Sequence, residues 1–463
     1  MADLSRAWRL YITAVCVALM SGNAAFAKEA AVSSGPLVGY STHFEVGIWI
    51  QTTKPTQIRI KYWLESDPGK LQWSSTHETG QNDIAKIRLA DLNPGQTYRF
   101  SVHLGEAGED GLKSKWPLRF QTQALWRRFK DRVPPDFVVA LGSCAHTTDI
   151  EYDPKPYYSG GYEIYEAIRK QSPDMMLWLG DNVYFRASDW SSAGGMARRY
   201  RRSRKLPQLQ ALLGSSHHYA IWDDHDYGPN DSNRSFVHKQ ASLDAFKQHW
   251  FNPSYGLPGI PGVFTQFTWN DVDFFLLDNR YYRSASNAPR NEEKTQFGQA
   301  QLRWLADALA ASRAPFKIVA AGGQFLSPFD RYEGSAQFPH EQRQLLDMLI
   351  RRDVDGVVFV SGDRHHTELV KVHPKGFYPL YDFTASPLTS RGAAADGEWD
   401  SPVRIPGTLV TKKRNFGLLR VSGAAGTRSL TFESRDSKGQ LLWSHSIKAT
   451  TLRSAKSVSG GQH

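Results

Sequence analysis

Six short clusters of polar and reactive side chains lie between residues 142 and 366, and each of them follows an apolar run. They are Gly142-Ser143-Cys144, Gly180-Asp181-Asn182-Val183-Tyr184, Asp223-Asp224-His225-Asp226, Asp278-Asn279-Arg280, Gly322-Gly323-Gln324 and Gly362-Asp363-Arg364-His365-His366. The clusters contain thiol, carboxyl, phenol and imidazole groups, all of which bind metal ions. So many carboxylates in one place would repel one another unless a multivalent cation neutralised them. The residue types therefore predict a metal site.

The ligand types favour two different kinds of ion. Cysteine, tyrosine and histidine together favour a transition metal, and a tyrosine phenolate in particular favours Fe(III). A second group made mostly of carboxylates favours a hard ion such as Ca, Mg or Mn. Two ions roughly 3.5–4 Å apart can hold a phosphate group and convert a water into hydroxide.

The elements around these clusters indicate a layered α/β domain that begins near residue 136. Helices are predicted over Tyr162–Gln171, Gln299–Ser312 and Pro339–Arg352, and residues 415–447 return to β structure. Strands are predicted at Phe137–Leu141, Met175–Leu179, Tyr219–Trp222, Phe274–Leu277, Ile318–Ala321 and Val357–Val360. Ligands bind outside the carboxyl ends of the strands in open α/β sheets. We therefore expect one rim to carry Cys144, Asp181, Tyr184, Asp224, His225, Asp363 and His365.

Residues 36–124 are predicted to form a separate all-β domain. The stretches Val46–Ile50, Gln57–Trp63 and Tyr98–Val102 alternate or nearly alternate in polarity, as half-buried strands do. A Pro94-Gly95 turn feeds a strand with an inward Tyr98, which resembles the tyrosine corner of a fibronectin III-like β-sandwich. We interpret this segment as a spacer or shielding module.

The first 27 residues have the pattern of a signal peptide. Arg6 and Arg9 precede the apolar stretch Leu10–Met20, and Ala25-Phe26-Ala27 matches an A-x-A cleavage site. We expect cleavage after Ala27 and export to the periplasm or the medium. No paired arginines precede the apolar stretch, so a twin-arginine route is not indicated. The exported chain would keep one cysteine, Cys144, for which metal binding is the favoured role.

Charge and hydropathy exclude several other classes of protein. The formal net charge is +10, from 56 Lys+Arg and 46 Asp+Glu, which is too modest and too dispersed to favour a specific nucleic-acid partner. No later apolar run reaches the roughly 18–20 residues that a membrane anchor needs.

The basic run Arg198–Arg204 either attracts an anionic substrate or forms a solvated helix face. Residues 454–463 are predicted to be a loose tail, and the oligomeric state is left open.

Six motifs, taken together and in this order, resemble the alkaline phosphatase D (PhoD-like) family of calcineurin-like metallophosphoesterases. The motifs are GSC at 142–144, LGDNVY at 179–184, WDDHD at 222–226, LDNRYYR at 277–283, FGQAQLRWL at 297–305 and SGDRHH at 361–366. The likeness covers roughly 136–400, and the N-terminal β module is also similar to the one that precedes the catalytic domain in that family.

The resemblance implies a four-layer αββα sandwich over residues 136–450 with a dinuclear site. It implies that Cys144, Tyr184 and His365 bind Fe(III), while Asp181 bridges the two ions. Asp224 and Asp363 would bind the second ion, which is Ca in the family; Mn, Mg or Zn remain possible. His225 would contact the phosphoryl oxygen or protonate the leaving group.

The implied function is that of an exported metal-dependent phosphatase, in which a metal-bound hydroxide attacks the phosphate ester. A phosphodiesterase, including phospholipase D-type activity, is an alternative on the same scaffold, and a non-catalytic phosphate-binding protein is another. Arg280 either clamps the phosphate or forms an ion pair with Asp278 or another neighbour.

Five features depart from the family pattern. Asp226 replaces the usual glutamate and is expected behind the site, and LDNR replaces LDTR. The missing twin-arginine signal leaves the identity of the ion in the first site open. The loop Ala145–Gly161 and the basic run Arg198–Arg204 look specific to a subgroup of the family. They leave the identity of the substrate open.

Overall fold

The computed structural model describes residues 29–105, 111, 114–126 and 133–454. The predicted signal peptide and the predicted tail from residue 455 onward therefore lie outside the described residues. Within them, no helix combines the length and the hydropathy that crossing a membrane requires.

Twenty strands and seven α-helices form the described chain. The strands are β1 Val32–Ser41, β2 Val46–Thr52, β3 Gln57–Leu64, β4 Asp67–Trp73, β5 His77–Glu78, β6 Ile84–Leu89, β7 Thr97–Leu104, β8 Arg119–Gln121, β9 Phe137–Gly142, β10 Met175–Leu179, β11 His217–Ile221, β12 Thr265–Trp269, β13 Val272–Leu276, β14 Phe316–Ala320, β15 Val357–Ser361, β16 Glu368–Val372, β17 Leu380–Thr384, β18 Asn415–Ser422, β19 Ser429–Asp436 and β20 Leu441–Lys448. The helices are α1 Ile164–Lys170, α2 Ala193–Arg204, α3 Pro207–Leu213, α4 Asp224–Tyr227, α5 Lys239–His249, α6 Gln299–Ala311 and α7 Pro339–Arg351.

Two large sheets form the core of the α/β region. One has the order β20-β19-β18-β9-β10-β11-β1-β2-β6, and the other has the order β12-β13-β14-β15-β17-β16. Their facing side chains meet directly: Tyr219 stacks on Phe267 with ring centroids 3.8 Å apart, and Phe432 contacts Phe383. The predicted α/β sandwich is confirmed. Strands β9, β10 and β11 are parallel, and so are β13, β14, β15 and β17, so their carboxyl ends lie along common edges.

The predicted elements lie within two residues of the observed ones. The strand expected at Met175–Leu179 is β10 itself, whereas the one expected at Phe274–Leu277 begins two residues earlier as β13. The apolar runs that precede the clusters are buried except for the half-buried Val138, because parallel strands covered on both faces need no polar side. The pattern therefore marked the strands that position the reactive residues.

The N-terminal β module shares a sheet with the α/β region. A five-stranded sheet of β4, β3, β7 and β8, with β5 on β3, packs over β1, β2 and β6 around a separate apolar core. Tyr98 is 1% exposed and its hydroxyl accepts a bond from the Asn93 backbone, which is the predicted inward tyrosine. Strand β1 pairs in parallel with β11 at Val38 and His217. The module is thus continuous with the nine-stranded sheet of the α/β region.

Candidate metal centre

The loops that follow β9, β10 and β15 approach one another so closely that glycine is required there. A Cβ atom on Gly362 would lie 2.5 Å from the Cβ of Ser143. A Cβ on Gly180, whose φ is +91°, would lie 2.7 Å from the Cβ of Asp223. The strand ends therefore converge, as the sequence predicted, because nothing larger than hydrogen separates their backbones.

Four of the predicted metal ligands have left-handed backbone conformations. The φ angles are 59° at Cys144, 52° at Asp181, 65° at Asp363 and 52° at His365. A non-glycine residue in this region costs on the order of 1–3 kcal/mol and persists only where its surroundings enforce it. Such strain clusters at binding sites, and here it occurs at residues that direct donor atoms toward one another.

The first group of donors contains Cys144, Asp181, Tyr184 and His365. The Cys144 Sγ atom lies 3.6 Å from Oδ2 of Asp181, and the Tyr184 hydroxyl lies 3.2 Å from the same oxygen. The Tyr184 Oη atom is also 3.2 Å from Nε2 of His365. Donor atoms of Cys144, Asp181 and His365 all lie within 4.8 Å of one another. The structure therefore brings together all four side chains predicted around the first ion.

The second group extends from the other side of Asp181. Donor atoms of Asp181, Asp224 and His225 lie within 4.8 Å of one another. Asp363 lines the same cleft, and its Oδ2 atom is buried without a hydrogen-bond partner. Burial opposes ionisation of Asp224, but His225 and Arg280 nearby lower its pKa to about 2. The carboxylates predicted around the second ion thus line the same cleft, but Asp363 is not among the donors that are grouped within 4.8 Å of Asp224.

A third acidic group was not predicted from the sequence. Donor atoms of Asp224, Asp231 and Glu333 also lie within 4.8 Å of one another. Asp231 and Glu333 belong to loops that follow no predicted strand end, so the strand rule could not find them. They add negative charge to the side of the cleft nearest Asp224.

The electrostatics of the centre fit a site that holds cations. Burial raises the pKa of the Asp181 and Asp363 carboxyls, and neighbouring carboxylates raise it further. Burial also raises the pKa of the Cys144 thiol and of the Tyr184 phenol. Burial lowers the pKa of His365 to about 4, which leaves the imidazole neutral and able to donate a lone pair. Positive charge between these groups would permit their joint ionisation, so the residues fit a metal-dependent site.

His225 stands against the wall of the cleft. Its ring stacks on Tyr184 with centroids 4.1 Å apart, and its backbone N–H donates to Oδ1 of Asp181 at 3.3 Å. The imidazole also lines the cleft. This placement is compatible with the predicted contact to a bound phosphoryl group or leaving group.

Asp226 lies behind the centre, as expected for the residue that replaces a glutamate. Its carboxylate accepts hydrogen bonds from the backbone N–H groups of Asp181, Asn182 and Asp223. Two of the strand-end loops are therefore fixed by one carboxylate. The shorter aspartate side chain still performs this structural role.

Arg280 is fully buried, and its guanidinium is occupied by acidic residues. Nε donates to Asp223 at 2.5 Å, while Nη1 and Nη2 donate to the two carboxylate oxygens of Glu333 at 2.7 and 2.5 Å. Nη1 also donates to the Ser232 carbonyl. A phosphate clamp would require these bonds to break, so the geometry favours the ion-pair alternative. Its partners are Asp223 and Glu333 rather than the Asp278 carboxylate.

Replacing Arg280 with glutamine should lower the free energy of unfolding by about 3–5 kcal/mol, because two buried carboxylates would lose their counter-charge. Arg352→Gln is the matched control, since its ion pair with Asp307 is exposed and should contribute no more than about 1 kcal/mol. Denaturant unfolding of both variants measures the difference. An Arg280→Gln protein of unchanged stability with weakened phosphate binding would instead support the clamp.

The cleft above the donors has a volume of about 630 Å³. Its described lining includes one guanidinium, Arg364, which already donates to Glu398 at 2.6 Å and to Gln324 at 3.1 Å. Acidic side chains and two tyrosines line much of the remainder. These lining residues are Tyr158, Asp231, Tyr332, Glu333 and Asp396.

The chain matches known proteins both in sequence and in fold. Residues 137–432 match the family model for PhoD-like phosphatase, and residues 29–120 match a domain of unknown function (DUF7800). Alkaline phosphatase D of Bacillus subtilis is 23% identical over 321 residues, which are 58% of this chain and 53% of that protein. The chain thus aligns with about half the length of this curated relative.

Two solved structures share the fold. A structure of PhoD superposes with a TM-score of 0.71 at 16% identity and covers 92% of both chains. The purple acid phosphatase PPD1 from yellow lupin superposes with a TM-score of 0.63 at 13% identity, over 90% of this chain and 75% of that one. Because the family model spans most of the chain, including every predicted donor, this chain belongs to the PhoD-like phosphatase family.

Proposed function

We propose that this protein is an exported, metal-dependent hydrolase of phosphate esters with a dinuclear centre. The observation that supports the proposal most directly is the convergence of Cys144 and His365, which are 221 residues apart in sequence, around Asp181. Export rests on the signal-peptide pattern of residues 1–27.

The donor chemistry favours different ions in the two halves of the centre. Cys144, Tyr184 and His365 suit Fe(III), and Asp181 would be shared with a second ion. Asp224 and Asp363 offer only oxygen, which suits Ca²⁺, although Mn, Mg or Zn would also accept parts of this set. When bound, the two cations would supply Lewis-acid activation of a water and stabilise charge on the phosphate oxygens.

The protein's own residues then orient the reaction. Asp181 holds the two halves of the centre together through its two oxygens. His225, fixed by its stacking on Tyr184, is placed to donate a proton to the leaving oxygen. Arg280 acts on the substrate only indirectly, since it fixes the carboxylates of Asp223 and of Glu333, the second of which lines the cleft. Catalysis would therefore depend mainly on positioning and charge stabilisation.

A phosphodiesterase is the second candidate, and the charge of the cleft favours it. Arg280 does not close the cleft, and Arg364, the guanidinium in the described lining, is already paired. Asp231 and Asp396 would repel the second negative charge of a monoester. A diester carries one charge fewer and needs room for a second substituent, which a cleft of this volume provides.

The proposal is tested with 4-nitrophenyl phosphate and bis(4-nitrophenyl) phosphate, which share a leaving group and differ in charge. We expect hydrolysis that is lost after chelation and restored by metal, with elemental analysis giving the ions present. A higher kcat/KM for the diester would support the phosphodiesterase candidate. Metal-replete protein that binds phosphate without hydrolysing either ester would show that it is a non-catalytic binding protein.

A further inference from the structure

The loop 145–161 and the basic run Arg198–Arg204 form one structural unit. Arg202 pairs with Asp149 of the loop at 2.6 Å, and Arg198 pairs with the same carboxylate at 3.5 Å. The side chain of Asp149 is fully buried. Helix α2, which carries the basic run, therefore holds the loop through an acid that would otherwise lie unpaired in the interior. The basic run is neither an open anion site nor a purely solvated face.

Further contacts fix the remainder of the loop. Arg186 donates to Asp153 at 2.8 Å and contacts Nε2 of His146 at 2.8 Å. Thr148 and Ser159 are hydrogen-bonded across the loop, which closes it on itself. These contacts therefore fix the position of Tyr158, which is the residue before Ser159.

Tyr158 lies on the side of His365 that faces away from the first group of donors. The Tyr158 hydroxyl lies 2.9 Å from Nδ1 of His365, whereas Nε2 of the same ring faces Tyr184 and the first group of donors. A neutral imidazole that donates its Nε2 lone pair carries its proton on Nδ1, and that proton needs an acceptor. The Tyr158 oxygen is placed to accept it, alongside the backbone carbonyl of Arg391, which also hydrogen-bonds this ring. Tyr158 also packs edge-on against His146, whose ring contacts Tyr184.

We propose that Tyr158 is a positioning residue that holds His365 in the orientation and tautomer needed for metal binding, and that the arginines of α2 secure the loop that presents it. The inference rests on the proposed metal-dependent function, because it assigns a role within the same centre. Partners that accept the outer N–H of a metal-binding histidine typically change metal affinity by about 10- to 100-fold. The proposal therefore extends the metal centre to residues that do not themselves bind a metal ion.

The test compares Tyr158→Phe, which removes only the hydroxyl, with Tyr152→Phe on the same loop. Tyr152 is 64% exposed and contacts the Arg198 guanidinium rather than the centre. Each protein is equilibrated with graded concentrations of chelator, and the metal retained per chain is measured by elemental analysis. We expect Tyr158→Phe to lose one ion at about 10- to 100-fold lower chelator concentration, while Tyr152→Phe matches the parent.

A second variant, Arg202→Gln, tests the anchoring of the loop without touching Tyr158. Arg202 is partly exposed, so the protein should fold, and metal retention should fall in the same direction as in Tyr158→Phe. Parent-like metal retention in a folded Tyr158→Phe protein would overturn the positioning role. Parent-like retention in Arg202→Gln alone would overturn the anchoring role of Arg202 and assign the pairing of Asp149 to Arg198 and Arg199. A parent protein that binds no metal would instead contradict the proposed function, so the two failures are distinguishable.

Discussion

Asp181→Asn should lower kcat/KM for a phosphate ester by more than about 100-fold, the upper range for loss of a partner that only supports a ligand. Asp181 lies between the two donor groups: Oδ2 faces Cys144 and Tyr184, and Oδ1 accepts the His225 N–H. An asparagine keeps the volume but has one carboxamide oxygen and no charge. It cannot serve two cations at once.

Asp396→Asn is the matched control for this experiment. Asp396 lines the same cleft and would lose the same charge, but it belongs to none of the donor groups. Steady-state kinetics are measured for the two variants, with metal content determined on the same samples. The comparison distinguishes the loss of a metal ligand from a change in the electrostatic potential of the cleft. If Asp181→Asn kept the parent rate, the dinuclear assignment would be untenable.

The donor residues at strand ends were predictable because a simple rule connects them. An apolar run that ends in glycine and a reactive residue marks a strand of a parallel sheet, and such strands end at one edge. Cys144, Asp181 and Asp363 all follow that pattern. The rule uses only the residues around each strand end. It therefore predicted that these side chains lie close together, although they are far apart along the chain.

Residues outside that pattern were not predictable in the same way. The partner of Arg280 is Glu333, which lies 53 residues away in a loop, and no local signal relates the two. Tyr158 reaches His365 only because the loop 145–161 folds back on arginines of α2. A helix at Arg198–Arg204 was one of the two interpretations of the sequence, but its buried face was not predictable, because that face includes Arg199 and Arg204 beside apolar residues.

The continuity of the N-terminal module with the catalytic sheet was also beyond sequence reasoning. The composition change near residue 136 suggested a boundary, but β1 pairs with β11 across it. His217 on β11 bonds to the Gly39 carbonyl at 2.7 Å, and the Trp49 indole donates to the Gln248 carbonyl. Edge pairing between distant strands depends on tertiary placement, which alternating polarity does not encode.

Cys144→Ser should remove the ion of the first site and reduce the rate by more than about 100-fold, while the protein stays folded. Cys144 is fully buried, and its sulfur contacts the hydroxyls of Ser143 and Ser386 at 3.3 and 3.2 Å. A serine hydroxyl fits these polar neighbours, so folding should survive. It is a poorer ligand for a transition metal, because the thiolate supplies the soft donor of the set.

Ser143→Ala provides the control for the cysteine substitution. It perturbs a hydroxyl beside the sulfur without removing a donor, so metal retention should stay close to that of the parent. Elemental analysis and thermal unfolding are measured on each purified protein. Full metal content in folded Cys144→Ser would mean that the thiol is only a buried core group, and the first site would then need a different set of ligands.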